Sequence, residues 1–171
     1  MAGLLSCRET MSLRSMLMNA AAAALYAALT MALLPLSYGP VQVRLSEALT
    51  LLAFVNRKFL PGLVAGCFAA NLASPLGPVD LIFGTAATWL ALWPMRYMKT
   101  MWAASLCPVI ANGLVIAAEL VYTADIPLAA YGVTALYVGA GEFLAVTIVG
   151  QGLMKLLLSR PVIAELLLKN K

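Results

Sequence analysis

Six apolar stretches, at 15–37, 45–55, 59–73, 79–95, 102–122 and 131–158, alternate with short polar turns, and Lys and Arg crowd into every second turn. That alternation constrains the chain more than any motif, because it is the pattern of a protein stitched through a bilayer. Composition agrees: 63% of the 171 residues are hydrophobic and 11% charged, with a mean hydropathy of +0.95, against roughly 25% charged residues in soluble domains. A spanning helix takes about 20 apolar residues, so six of them fill the chain. The expected fold is all-α, a polytopic bundle of six transmembrane helices. It comprises an N-terminal segment at 1–14, a membrane domain at 15–158 and a C-terminal tail at 159–171. The stretches 45–55 and 59–73, divided by Asn56, Arg57 and Lys58, are short for a crossing. They predict tilted or locally thinned spans, or a re-entrant pair.

Short loops rich in Lys and Arg stay on the cytoplasmic face. Arg8, Arg14, Arg57, Lys58, Arg96, Lys99, Lys155, Arg160, Lys169 and Lys171 then share that face with both termini, and only Arg44 lies opposite. The net charge of +4 reports topology and gives no reason to expect nucleic acid. With no His, His-ligated metals and His-based proton chemistry are excluded. No phosphate-loop motif occurs, so the chain has no ATP site of that type. No metal site, cofactor or catalytic set is expected. Cys7, Cys67 and Cys107 lack paired spacing and read as small helix residues.

Five acids fall outside the cytoplasmic set: Glu47, Asp80, Glu119, Asp125 and Glu142. Glu142 is about ten residues into the last span, roughly 15 Å below its outer end. A carboxyl group at that depth is costly and usually faces a cavity on a ligand or ion path. Glu119 is one turn from the outer end of its span, and Asn112, seven residues earlier, shares its face. Asn71 closes the outer end of the third stretch. Arg44 and Glu47 are three residues apart, spaced to pair with each other across one turn. Asp80 falls where a helix N-terminus favours a carboxylate. Thr85, Trp89 and Trp93 form a stripe in which Trp93 suits an interfacial anchor and Trp89 a stacking wall for a flat ligand. Such a cavity suits a small planar ligand rich in hydrogen-bond donors, cationic if it is to offset buried carboxylates. Anionic substrates are disfavoured, since one basic residue is available at that side.

Small residues carry a second pattern. Ala20, Ala24 and Ala28 recur every four residues, as do Ala23 and Ala27, and Gly62, Gly66 and Ala70 repeat the spacing. Ridges of this kind let helices approach closely in lipid. The glycine ridge is expected to pack inside the bundle, the alanine ridge against an outside partner.

The segment Tyr38-Gly39-Pro40-Val41-Gln42-Val43-Arg44-Leu45-Ser46-Glu47-Ala48-Leu49-Thr50-Leu51-Leu52 resembles the signature of the QueT family, substrate-capture subunits (S components) of energy-coupling factor transporters for queuosine precursors. Asn71-Leu72-Ala73-Ser74-Pro75-Leu76-Gly77-Pro78-Val79-Asp80 with Phe83-Gly84, and Val138-Gly139-Ala140-Gly141-Glu142, agree with it. The likeness covers about 15–155. Ala53 departs from it, standing where the family's proline is expected, with a local kink. The resemblance implies a multi-pass protein of a prokaryotic cell membrane, not an enzyme, that captures a 7-deazaguanine such as the 7-aminomethyl form from outside. It implies docking on a transmembrane coupling subunit with two cytoplasmic ATPases, a toppling motion, and a docking face at Ala20, Ala24 and Ala28. The expected pocket holds Gln42, Arg44, Glu47, Asn71, Asp80, Thr85, Trp89, Asn112, Glu119 and Glu142: Glu142 and Glu119 receive the donor edge and the aminomethyl cation, in either order, Arg44 and Glu47 form part of an outer gate, and Asn71 and Asp80 fix the ligand's rim. The alternatives are an S component for another vitamin-like or amine substrate, and a proton-coupled small carrier using Glu119 and Glu142 as relays.

Overall fold

The computed structural model describes residues 12–38, 42–124 and 126–168. Arg8, Cys7, Gly39, Pro40, Val41, Asp125, Lys169 and Lys171 lie outside them. Within the described residues the chain is helical: α1 (Leu13–Ala32), α2 (Leu34–Ser37), a 3-10 turn (Leu45–Thr50) leading into α3 (Leu51–Val55), a 3-10 turn (Arg57–Phe59), α4 (Leu60–Asn71), α5 (Pro78–Met95), α6 (Met101–Thr123), a 3-10 turn (Leu128–Ala130), α7 (Tyr131–Glu142), a π-helical stretch (Phe143–Gly150), α8 (Gln151–Leu158) and α9 (Pro161–Leu168).

Local chemistry sets these boundaries. The Ser12 hydroxyl accepts from Ser15 N at 3.3 Å and starts α1. Pro35 has no N–H to continue the helix, and the chain breaks at Leu33 before α2. Pro61 and Pro78 sit in the first turns of α4 and α5, where a missing N–H costs nothing. Gly77, at φ +63°, makes the reversal into α5. The segment Leu51–Val55 runs as helix through Ala53.

Leu13–Ala32, Met101–Thr123 and Leu128–Leu158 are long and apolar enough to cross a membrane, and Leu45–Val55 is a shorter apolar helix. Leu13, Leu17, Ile110, Leu114 and Leu136 point outward, each more than half exposed. An outer surface of this kind fits lipid and not water. The interior holds Leu51, Leu63, Leu92, Met95, Val146 and Met154. Nearly every residue of segment 45–55 is buried, so other helices surround it. A short, largely apolar segment is stable inside a bundle.

Close backbone approach does the packing. A Cβ on Gly62 would stand 2.5 Å from Asn19 O, and one on Gly66 2.8 Å from Ala23 O. The glycine ridge of α4 therefore lies directly on α1, inside the bundle. At Gly150 a Cβ would come within 3.1 Å of Ala48, so the π-helical stretch presses on the buried 3-10 turn. The widened turn moves Thr147, Gly150, Gln151 and Met154 inward and leaves Ile148 and Val149 outward. Asn19 ties the other end, accepting from Gly62 N at 2.7 Å and donating to Lys58 O at 2.7 Å.

Candidate functional site

The C-terminal ends of α1, α4 and α6, the N-terminal end of α5, the 3-10 turn at Leu45–Thr50 and the end of α7 converge on one buried polar cluster. It lies toward the end of the bundle opposite Arg14, Lys58 and Arg96. Arg44 is at its centre. Its Nη2 is 3.7 Å from Asp80 Oδ2, with both side chains buried, its guanidinium carbon is 5.0 Å from the Tyr38 ring centre, and Nη1 is 4.0 Å from Cys67 Sγ. Glu47, Asp80, Glu119 and Glu142 all lie within its electrostatic range.

Arg44 does not form the expected pair with Glu47. The 3-10 turn points Glu47 into the core, where its Oε1 accepts from Tyr26 Oη and, at 3.4 Å, from Thr88 Oγ1. Glu47 is fully enclosed, which sets it beneath the site and not at its rim. Asp80, in the first turn of α5 as expected, answers Arg44 instead.

Asn71 joins α4 to α5 and to the outer turn. Its Nδ2 donates to Asp80 O at 3.1 Å and to Thr85 Oγ1 at 3.4 Å, while its Oδ1 accepts from Tyr38 Oη at 3.3 Å. Burial pushes the Tyr38 hydroxyl up to about 12, so at neutral pH it is a donor. Gln42 is buried beside this outer turn and holds φ at +46°, a costly conformation for a side-chain-bearing residue.

The opposite wall comes from α6 and α7. Asn112, Glu119 and Glu142 are buried on the facing sides of these helices, with Asn112 within hydrogen-bonding reach of the Glu142 carboxyl. Both oxygens of Glu119, Oε2 of Glu142 and Oδ1 of Asn112 are buried with no hydrogen-bond partner, as are Glu47 Oε2 and Asp80 Oδ2. Six oxygens here lack a hydrogen-bond partner, and one of them, Asp80 Oδ2, is the oxygen that faces Arg44; the one buried side-chain donor without a partner among the described residues, Arg96 Nε, is at the other end of α5. An unmet buried acceptor costs about 1–3 kcal/mol, so these oxygens have capacity for further donors. Outside it opens a cavity of about 320 Å³ lined by Tyr38, Gln42, Leu120, Thr134 and Tyr137.

Trp89 stands apart from the cluster. It is 44% exposed, stacks at 5.6 Å and 38° on Trp93, and lines an outward groove with Pro61, Val64 and Phe68. Thr85 touches both the groove and Asn71. The aromatic stripe is present at the expected spacing, but α5 turns it outward because Asp80, Gly84, Ala87, Thr88 and Ala91 form the buried face of that helix.

Four members of the cluster are missing from the set expected on sequence grounds. Tyr26 is the aromatic residue among the alanines of α1, on the face that also carries Asn19 and Thr30, and that interruption of the alanine run is a signal in the sequence. Cys67 is not just a small helix residue: its sulfur is 3.2 Å from Thr88 Oγ1 and accepts from Asn71 Nδ2 at 3.5 Å. Its place four residues before Asn71 is the corresponding signal. Tyr38 and Thr88 complete the set. Cys107 is as bland as expected, donating to Ala103 O at 3.7 Å.

A family model described as QueT transporter matches residues 16–159. The curated protein "Queuosine precursor transporter QueT" of Lactococcus lactis subsp. cremoris (strain MG1363) is 43% identical over 72 residues, covering 41% of this chain and 42% of that protein. The match thus spans about two fifths of the relative's length. No solved structure matches.

Proposed function

Since the chain belongs to the QueT transporter family, we propose that it is the membrane-embedded substrate-binding subunit of an energy-coupling factor importer, taking up 7-aminomethyl-7-deazaguanine. In this reading it crosses a prokaryotic cell membrane six times with both termini cytoplasmic. It has no cofactor and performs no chemistry on its substrate.

The acceptor wall of α6 and α7 carries the argument. Asn112 and Glu119 are seven residues apart, roughly 10.5 Å along the helix, a span that a bicyclic base with a short aminomethyl arm fills. The guanine-like edge offers adjacent N–H donors, which a carboxylate accepts in pairs; Glu142, with Asn112 beside it, suits that edge. Glu119, nearer the outer end, suits the ammonium. Arg44 stays with Asp80 and keeps the pocket from carrying uncompensated charge when the ligand leaves. Asn71 and Gln42 line the rim.

Ala20, Ala24 and Ala28 are exposed along one face of α1, while Ala23 and Ala27 turn partly inward. That exposed face is the proposed contact with a transmembrane coupling subunit and its two ATPases, which would supply the energy that this chain has no site to harvest.

Glu142→Gln is expected to weaken binding of 7-aminomethyl-7-deazaguanine by about 100-fold, the worth of one charge-assisted pair, with an unchanged melting profile in detergent. Calorimetry on the purified subunit measures it; unaltered affinity removes Glu142 from the site. Identification of the small molecule that copurifies with the wild-type subunit tests the substrate directly, and a ligand without a guanine-like edge would refute the assignment. Uptake that persists without ATPase partners would favour the small-carrier reading.

A further inference from the structure

Ser105, Thr147 and Gln151 form a buried polar set that has no task in the function proposed above. Ser105 precedes Asn112 by seven residues on α6, so it shares the face of Asn112 and lies roughly 10.5 Å from it along the helix. Its hydroxyl donates to Trp102 O at 2.8 Å and accepts from Thr147 Oγ1 at 3.1 Å and from Gln151 Nε2 at 3.2 Å. A hydroxyl has one donor and two acceptor sites, so this one is saturated. The facing residues owe their alignment to the π-helical stretch. A turn closed by i→i+5 bonds returns residue 147 to the face of residue 142, whereas five residues of α-helix would overshoot one turn by about 140°. Gln151 follows one α-helical turn after Thr147. Glu142, Thr147 and Gln151 thus run along α6, facing Asn112 and Ser105.

We propose that Ser105, Thr147 and Gln151 are positioning residues of the binding site: their clamp locks the register of 143–150 and thereby aims the Glu142 carboxyl at the ligand. The inference rests on the substrate reading above, in which Glu142 receives the guanine-like edge. Apolar helix faces can pack in several near-equivalent rotations, and a buried polar contact satisfied in one of them selects it. Slippage into α-helical register would carry Thr147 off the face of α6 and strip the Ser105 hydroxyl of a donor. Gly150 fixes the other side of the stretch, since a Cβ there would stand 3.1 Å from Ala48, on the turn that carries Glu47. The register is therefore held from two directions, and Glu142 is the residue at its start.

Calorimetry with 7-aminomethyl-7-deazaguanine on the full chain in detergent tests this. Thr147→Val keeps the branched shape and removes the hydroxyl; Thr147→Ser keeps the hydroxyl and removes a methyl group. Thr147→Val is expected to weaken binding about 10-fold and Thr147→Ser under about 3-fold, whereas a residue that only packs would give the reverse order. Gln151→Met, which removes the other donor at similar length, is expected to repeat the loss and serves if Thr147→Val fails to fold. In a Glu142→Gln background Thr147→Val is expected to cost under about 3-fold more, because the group it misdirects is already gone. A full further 10-fold loss in that background overturns the positioning role, as does wild-type affinity in both Thr147→Val and Gln151→Met; either result spares the substrate reading. If wild type does not bind this ligand, the substrate reading falls and the positioning role with it.

Discussion

Arg44 shows what a single charged side chain does inside this bundle. Surrounded by four carboxyl groups, it is the cation that makes them tolerable, and its partner is set by helix placement and not by nearness in sequence. Removing one member of a buried pair strands the other at a cost of about 3–5 kcal/mol, whereas removing both costs far less. Arg44→Met and Asp80→Asn are each expected to lower the melting temperature sharply. The double variant is expected to recover most of the loss in a double-mutant cycle followed by thermal unfolding in detergent; additive losses would mean that the 3.7 Å approach contributes no coupling. The acids of this cluster are legible in the sequence because a carboxylate in an apolar helix carries a large desolvation cost that ordinary packing does not return. Their partners are not legible. Tyr26, Thr88 and Cys67 are ordinary residues for an apolar helix, and only the packing of α1, α4 and α5 turns them toward Glu47 and Arg44.

At the level of elements, helix approach depends on single missing side chains. Gly66→Val would place atoms against the Ala23 backbone, which cannot yield as a side-chain tip can. The expected result is a loss of about 3 kcal/mol or more of stability, the upper end of overpacking. Gly152→Ala, with open space at its Cβ position, is expected to raise the melting temperature by no more than about 4 °C, consistent with the gain of about 0.5–1 kcal/mol from replacing a helical glycine. Indistinguishable melting curves for the two variants would contradict the packing of α4 on α1. The four-residue spacing of Gly62, Gly66 and Ala70 makes this contact readable in advance. The π-helical stretch cannot be read, because its widened turn answers to Ala48 on a distant segment, and no local propensity marks it. Trp89 is the matching case in α5: its spacing identifies a stripe, and the small and polar residues on the opposite face decide which way the stripe turns.

Across the whole molecule, α1 carries an inward polar face toward the cluster and an outward alanine face, the latter being the proposed contact with a coupling subunit. Tyr26 and Ala24 are half a turn apart on α1, one bonded to Glu47 and the other exposed. Ala24→Leu is accordingly expected to abolish uptake in cells, by at least about 10-fold, because a groove of this kind has no room for a branched side chain at a helix interface. Ligand binding by the isolated subunit should remain within about 2-fold, since Ala24 touches nothing inside. Loss of binding would place Ala24 in the core, and undiminished uptake would make the alanine face ordinary lipid-facing surface. The sequence by itself determined that this is an apolar helical protein, which residues are too costly to be there without a purpose, and where the chain turns. These follow from composition, from the energy of a carboxylate in hydrocarbon and from proline and glycine geometry, all of them local. Only the tertiary structure decided that 45–55 is enclosed, that Arg44 answers Asp80, that Trp89 turns away from the cluster, and that six buried oxygens there lack a hydrogen-bond partner. Each of these depends on how one helix is rotated against the next, and that rotation is fixed by the sum of contacts from segments far apart in the chain.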